Sequence, residues 1–162
     1  MNQSETKMQT LKIEAFKIIG ISIRTTNEND QATKDIAALW GKFMAENTIA
    51  KIPNKVGADI YSLYTDYEDD HTKPYTTILG CKVNSLDMIP EGMVGRSFDG
   101  GSYVKTSTKG DLMEGLIVKH WSKIFEMDLN RRYTADFEVY GEKAQNPSAA
   151  EVDVFIGVNN EI

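Results

Sequence analysis

Two carboxylates, Asp136 and Glu138, stand in the segment Ala135-Asp136-Phe137-Glu138-Val139-Tyr140, and they are the side chains best placed to do chemistry. Apolar and polar residues alternate there as in a strand, with Phe137 and Val139 on one face and Asp136, Glu138 and Tyr140 on the other. Residues i and i+2 of a strand lie roughly 7 Å apart. The pair suits general acid–base work only loosely, because every such pair shares that spacing. A single carboxylate among aromatic rings suits a different task, the capture of an organic cation. Partly desolvated, it is costly until a cation arrives, and ring faces add ~0.5–2 kcal/mol per good contact. The plain alternative is a solvated strand glutamate, since Glu is rarely buried unpaired.

Other chemistries find less support. His71, His120 and Cys81 show no metal-ligand spacing. The acidic run Asp66, Glu68, Asp69 and Asp70 lacks the glycine and distal glutamate of a calcium loop, and reads as a solvated loop. Two histidines in unrelated contexts assemble no Ser-His-Asp triad. Gly92-Met93-Val94-Gly95 lacks the strand–GxGxxG–helix context of a phosphate cradle, so no cofactor is implied.

The chain has 162 residues, 41% hydrophobic and 26% charged, which suits one globular domain. Its net charge of -6 argues against a direct nucleic-acid partner. The basic pair Arg131-Arg132 reads as a loop after a helix. One cysteine, Cys81, excludes an internal disulfide and fits a reducing cytoplasm. Met1 to Thr10 is polar, without the apolar core of a signal peptide, and no run approaches the ~20 apolar residues of a membrane span. The expectation is a soluble cytoplasmic protein, disordered over residues 1–10, with a single domain over 11–162.

The elements that must hold these side chains follow in order. Lys12–Thr25 reads as a strand with a slip near Lys17-Ile18. A helix follows to about Asn47, with Ile36, Leu39, Trp40, Phe43 and Met44 on its apolar stripe. Strands Ala58–Tyr64 and Tyr75–Val83 come next, then an irregular segment from Asn84 to Gly101. Ser102–Ser107 is a strand and about Lys109–Glu126 a helix, started by a capping box at Thr108 and Asp111. Its stripe is Met113, Leu116, Ile117, His120, Trp121, Ile124 and Phe125. Strands Ala135–Tyr140 and Glu151–Val158 finish the chain.

The order β-α-β-β occurs twice, over about residues 11–84 and 101–160. Leu39-Trp40-Gly41-Lys42-Phe43 echoes His120-Trp121-Ser122-Lys123-Ile124, and Ala58-Asp59-Ile60-Tyr61 echoes Ala135-Asp136-Phe137-Glu138. The reading is an α+β fold made of a duplicated β-α-β-β repeat. One curved antiparallel sheet carries two helices around a central pseudo-twofold cleft. The second echo pairs Glu138 with Tyr61, so the halves differ by one charge.

Leu39-Trp40, Ile60-Tyr61 through Tyr64-Thr65-Asp66-Tyr67-Glu68, Tyr75-Thr76, Ile89-Pro90-Glu91-Gly92-Met93, Tyr103, Trp121 and Asp136–Tyr140 together resemble the GyrI-like small-molecule-binding family. This is the effector-binding domain also attached to AraC-type and MerR-type transcription regulators. The resemblance implies a pocket for lipophilic, aromatic or cationic molecules, with Glu138 at its base and aromatic walls. Trp40, Tyr61, Tyr64, Tyr67, Phe98, Tyr103, Trp121 and Tyr140 are the wall candidates, part of them serving ordinary strand packing. The chain looks like a stand-alone member, acting alone, as a homo-dimer or with a protein partner. The alternative implied is a hydrolase of cyclopropane-type genotoxins, in which Glu138 orients water and Tyr103 protonates the leaving oxygen.

Overall fold

A computed structural model of the chain describes residues 8–159. Eight strands form one antiparallel sheet: β1 (Gln9–Ile13), β2 (Phe16–Thr25), β3 (Ile60–Thr65), β4 (Tyr75–Val83), β5 (Val94–Phe98), β6 (Gly101–Gly110), β7 (Arg131–Tyr140) and β8 (Ala150–Val158). Helix α1 (Gln31–Ala45), a single turn α2 (Thr48–Lys51) and α3 (Leu116–Phe125) complete the main elements. The spatial order is β1-β6-β8-β7-β3-β4-β2-β5. It reads as two equivalent halves, β6-α3-β7-β8 and β2-α1-β3-β4, joined where β7 pairs with β3. Each half is extended by a strand that precedes the other: β1 pairs with β6, and β5 with β2.

That exchange explains two departures from the sequence reading. The single strand expected over Lys12–Thr25 is two, broken at Glu14-Ala15, because β1 and β2 join different ends of the sheet. Gln9 and Thr10, expected in a disordered tail, belong to β1; residues 1–7 lie outside the described residues. The segment expected to be irregular holds β5, whose Gly95, Arg96 and Ser97 give no apolar alternation.

The sheet is strongly curved. Phe16 of β2 and Phe137 of β7 are separated by two intervening strands, roughly 14 Å across a flat sheet at the usual strand spacing. Their ring centroids are nevertheless 5.3 Å apart. Phe137 also meets the rings of Tyr61, Tyr103 and Phe155, at 5.6, 5.6 and 4.8 Å. The concave face therefore closes on its own aromatic cluster, with Ile18, Leu63, Ile78 and Phe98 buried around it. No described helix covers it.

Both long helices pack on the opposite face. Leu39 and Phe43 of α1 are buried on Ile19, Ile21, Leu79 and Cys81, and Ile124 of α3 on Val104, Val152, Val154 and Ile156. His120 is buried beside Ile124 and held by Thr106, Nε2 to Oγ1 at 2.7 Å. The stripes are narrower than expected. Met44 is 64% and Met113 82% exposed, because α1 has turned Met44 to solvent and α3 begins only at Leu116. The expected capping box is not formed. Thr108 is paired to Val152 within β6, while Asp111 caps a separate 3-10 turn through Met113 N, and Gly115, at φ 77°, starts the helix.

Phe137→Ala should cost about 3–5 kcal/mol in urea unfolding, as expected for a large buried ring. Met113→Ala should stay within about 0.5 kcal/mol. Comparable losses for the two would contradict the concave-face core.

Candidate functional site

The register of β3 on β7 decides which side chains share a face. Ser62 stands opposite Glu138, Leu63 opposite Phe137, and Tyr64 opposite Asp136. Cross-strand partners point the same way, so Ser62, Tyr64, Asp136, Glu138 and Tyr140 all face the helices. Tyr61 and Phe137 face the concave side. Tyr61 is therefore not the counterpart of Glu138; the two point to opposite faces of the sheet. Ser62 is. Glu138 and Ser62 are 76 residues apart, as are Tyr140 and Tyr64, and the two pairs straddle the pseudo-twofold axis.

The helices obey the same symmetry. Trp40 of α1 meets the ring of Tyr140 edge-on at 4.9 Å, and Trp121 of α3 meets that of Tyr64 at 5.7 Å. Ile36 and Trp40 on α1, and Ile117 and Trp121 on α3, border a cavity between the helices. Its volume is about 470 Å³, within the range of small-molecule sites. Tyr64, Tyr67, Tyr75 and Glu138 line it from the sheet side.

Glu138 is 1% exposed and stands beside the pseudo-twofold axis, across from Ser62. Its Oε2 accepts from Tyr64 Oη at 2.6 Å and Trp121 Nε1 at 2.7 Å, and its Oε1 from Tyr140 Oη at 2.5 Å. All three donors are neutral. Among the described residues, no cationic side chain forms an ion pair with it. Burial raises its pKa, and the hydrogen bonds from Tyr140, Tyr64 and Trp121 oppose that rise. Burial and the nearby Glu138 charge hold the Tyr64 and Tyr140 phenols well above their ordinary range, so both remain donors.

Asp136, fully buried two residues away, has a different role. It accepts from Tyr67 Oη at 2.5 Å, Arg131 Nη2 at 2.7 Å and the Gly157 amide at 2.8 Å. Among the described residues Asp136 has a counter-ion and Glu138 has none. Arg131 is accordingly not in a loop; Arg131 and Arg132 begin β7. In a regular strand residues i and i+5 point to opposite faces. Here a bulge sets four residues of β7, 132–135, against Gly157 of β8, with Tyr133 at φ 57°, and so brings Arg131 to Asp136.

The structure thus gathers Trp40, Tyr64, Tyr67, Trp121, Glu138 and Tyr140 at one cavity. Tyr61, Phe98 and Tyr103 are not there. Phe98 is buried against Phe16, and Tyr103 against Phe137 under the Arg132 guanidinium. The pairing of Glu138 with Tyr103 is not formed, because the sheet lies between them. Asn27, His71, Tyr75, Phe125 and Arg131 also line the cavity and were not singled out as lining residues from sequence. Tyr75 donates to Asn27 Oδ1 at 2.8 Å, and Asn27 donates to the His71 carbonyl at 2.7 Å, which ties the loop after β3 to the start of α1. Asp66, Glu68 and Asp69 in that loop are exposed, as expected of a solvated loop. Asp66 makes a two-pronged ion pair with Arg96, at 2.9 and 3.0 Å. No group of three or more potential metal ligands occurs among the described residues, and no described helix is long and apolar enough to cross a membrane.

The family model for Cass2, the integron-associated effector binding protein, matches residues 11–158. The chain belongs to the Cass2 family. Similar structures include the integron cassette protein VCH_CASS2 from the mobile metagenome of Vibrio cholerae, at 30% identity and TM-score 0.72, over 94% of this chain and 95% of that one. The Cass2-family fold is also shared with SAV2435, solved bound to tetraphenylphosphonium, at TM-score 0.76 and 16% identity, over 95% of this chain and 94% of that one. A curated relative of this Cass2-family chain is the putative transcriptional regulator protein YobU of Bacillus subtilis (strain 168). It is 24% identical over 150 residues, 90% of this chain and 94% of YobU.

The raised Glu138 pKa has a stability consequence whose sign is the reverse of a salt-bridged carboxylate. The folded state keeps the Glu138 proton to higher pH than the unfolded chain does. This group therefore makes the free protein progressively less stable as pH rises from the ordinary carboxylate range through its raised pKa. Glu138→Gln should remove that slope, so the variant gains on wild type with rising pH across that window. Urea melts from pH 4 to 7.5 check this; parallel curves would contradict it.

Proposed function

We propose that the chain binds lipophilic organic cations in the cavity between α1 and α3, with Glu138 as the charge that selects them. The observation that carries this reading is a buried carboxylate held by three neutral donors, without a counter-ion among the described residues, inside aromatic walls. Removing a carboxylate from water is costly unless it is paired. Three hydrogen bonds keep it oriented but leave its charge uncompensated. A cation in the cavity supplies the missing charge. The faces of Trp40, Trp121 and the tyrosines add cation–π attraction and exclude small hydrated ions, whose dehydration they do not repay.

The pseudo-symmetry supports a flat or globular cation in place of an extended chain, since matched rings flank the carboxylate from both helices. Membership of an effector-binding family supports a sensing or sequestering role. That SAV2435 was solved with tetraphenylphosphonium supports the capacity of this fold for such a ligand.

Titration calorimetry with tetraphenylphosphonium tests the reading, with tetraphenylborate as a probe of the same shape and opposite charge. The cation should bind and the anion should not. Glu138→Gln should weaken the cation by about 10–100-fold, the scale of one interaction between charged groups, with the fold unchanged by circular dichroism. Equal affinity of wild type and variant would refute the role of Glu138. Affinity in wild type should also rise as pH rises through the raised Glu138 pKa and then level off, because the proton and the ligand compete for one carboxylate. A pH profile in the variant as steep as wild type's would count against that linkage.

A further inference from the structure

Five buried side-chain polar atoms of the described residues have no hydrogen-bond partner, and three of them belong to Arg131 and His71: Arg131 Nε and Nη1, and His71 Nδ1. These two residues border both the main cavity and a second cavity of about 210 Å³ beside it. Phe125 is the third shared wall residue, and His71 stacks on it at 3.9 Å. Such convergence is unusual, since buried donors in folded proteins are nearly always satisfied.

The Arg131 guanidinium is committed at one nitrogen only. Its side chain is 6% exposed, and Nη2 alone reaches Asp136, which also has Tyr67 and the Gly157 amide as donors. The rings of Tyr133, Trp121 and Phe125 lie 4.4, 5.7 and 5.9 Å from Arg131 Cζ. Ring faces compensate the charge of a guanidinium but supply no acceptor for its remaining N–H groups. What those groups lack is an oxygen anion, which arginine's planar fork binds through two parallel hydrogen bonds. Burial lowers the His71 pKa, which favours the neutral ring, and a neutral ring can present Nδ1 as donor or acceptor by choice of tautomer.

We propose that the second cavity is a subsite for the acidic oxygen group of a ligand, a carboxylate or sulfonate arm, received by Arg131 and His71 while the ligand's aromatic body lies in the main cavity. The inference rests on the reading of the main cavity as a small-molecule site. It widens the ligand class from simple cations to amphoteric aromatics, whose cationic part faces Glu138 and whose acidic arm faces Arg131. An anionic centre buried among rings, as in tetraphenylborate, offers no oxygen acceptor and gains nothing at this subsite.

The test is a matched pair of fluorescent probes, 8-anilinonaphthalene-1-sulfonate and N-phenyl-1-naphthylamine, which differ only in the sulfonate. Wild type should bind the sulfonate with one-to-one stoichiometry and about tenfold more tightly than the neutral probe, the scale of one hydrogen bond between charged groups. The double variant Arg131→Met/Asp136→Asn replaces the ion pair by neutral groups of similar size, a change that buried pairs often tolerate; it should bring the ratio to about one. His71→Phe keeps the stack on Phe125 and should lower the ratio without disturbing the pair, so the proposal stays testable if the double variant fails to fold. Equal affinities for the two probes in wild type would overturn the proposal, as would a ratio that survives both variants or the binding of neither probe. Failure of tetraphenylphosphonium to bind, with the sulfonate preference present, would instead overturn the earlier reading and leave the acidic subsite standing.

Discussion

The cost of holding the Glu138 carboxylate away from water and without a counter-ion organises the site around it. Tyr64, Tyr140 and Trp121 each spend a donor on it, and those three side chains come from β3, β7 and α3, across both halves of the fold. Removing any one would leave a lone pair unmatched in a nearly dry setting, where an unmade hydrogen bond is expensive. Asp136 shows what the same sheet does when charge balance is wanted: a bulge in β7 swings Arg131 round to it. One carboxylate is neutralised at structural cost. Its neighbour, two residues along the same face, has no ion-pair partner among the described residues.

Duplication makes this arrangement possible. A pseudo-twofold axis passes near the Ser62–Glu138 pair, so each half contributes one tryptophan and one tyrosine to the same point. Symmetry alone would place two like groups there. Two facing glutamates would repel, and two serines would carry no charge. Glu138 opposite Ser62 gives one charge with room around it, and the Ser62 hydroxyl donates to Tyr64 Oη at 3.2 Å, supporting one of the donors. The exchanged edge strands β1 and β5 bring Leu11, Ile13, Val94 and Phe98 to the cluster around Phe137 on the concave face, while α1 and α3 pack on the other.

Much of this was legible in residue order. The helix stripes, the two β-α-β-β runs and the position of Glu138 on the polar face of its strand follow from periods of 3.6 and 2. The failures have specific physical causes. Aligning Ala58-Asp59-Ile60-Tyr61 with Ala135-Asp136-Phe137-Glu138 uses an odd offset of 77. In a strand an odd slip moves a side chain to the opposite face, so Tyr61 was placed in the wrong layer. Which face of the sheet a ring joins depends on how all eight strands pair, not on any one segment. Phe98 and Tyr103 therefore could not be told from cavity residues by their type. Arg131 was missed because a bulge breaks strand parity. Strand β5 was missed because an edge strand carrying Gly95, Arg96 and Ser97 shows no apolar period.

The central claim is that Glu138 is an uncompensated buried charge that an organic cation neutralises. The most direct measurement is the pH titration of its side-chain carbonyl carbon by NMR, in 13C-glutamate-labelled protein assigned with Glu138→Gln, free and saturated with tetraphenylphosphonium. The free carboxyl should titrate above the ordinary carboxylate range, in the direction that burial drives it, and the bound cation should bring its midpoint down. A midpoint that is ordinary in the free protein, or the same with and without the cation, would contradict the account.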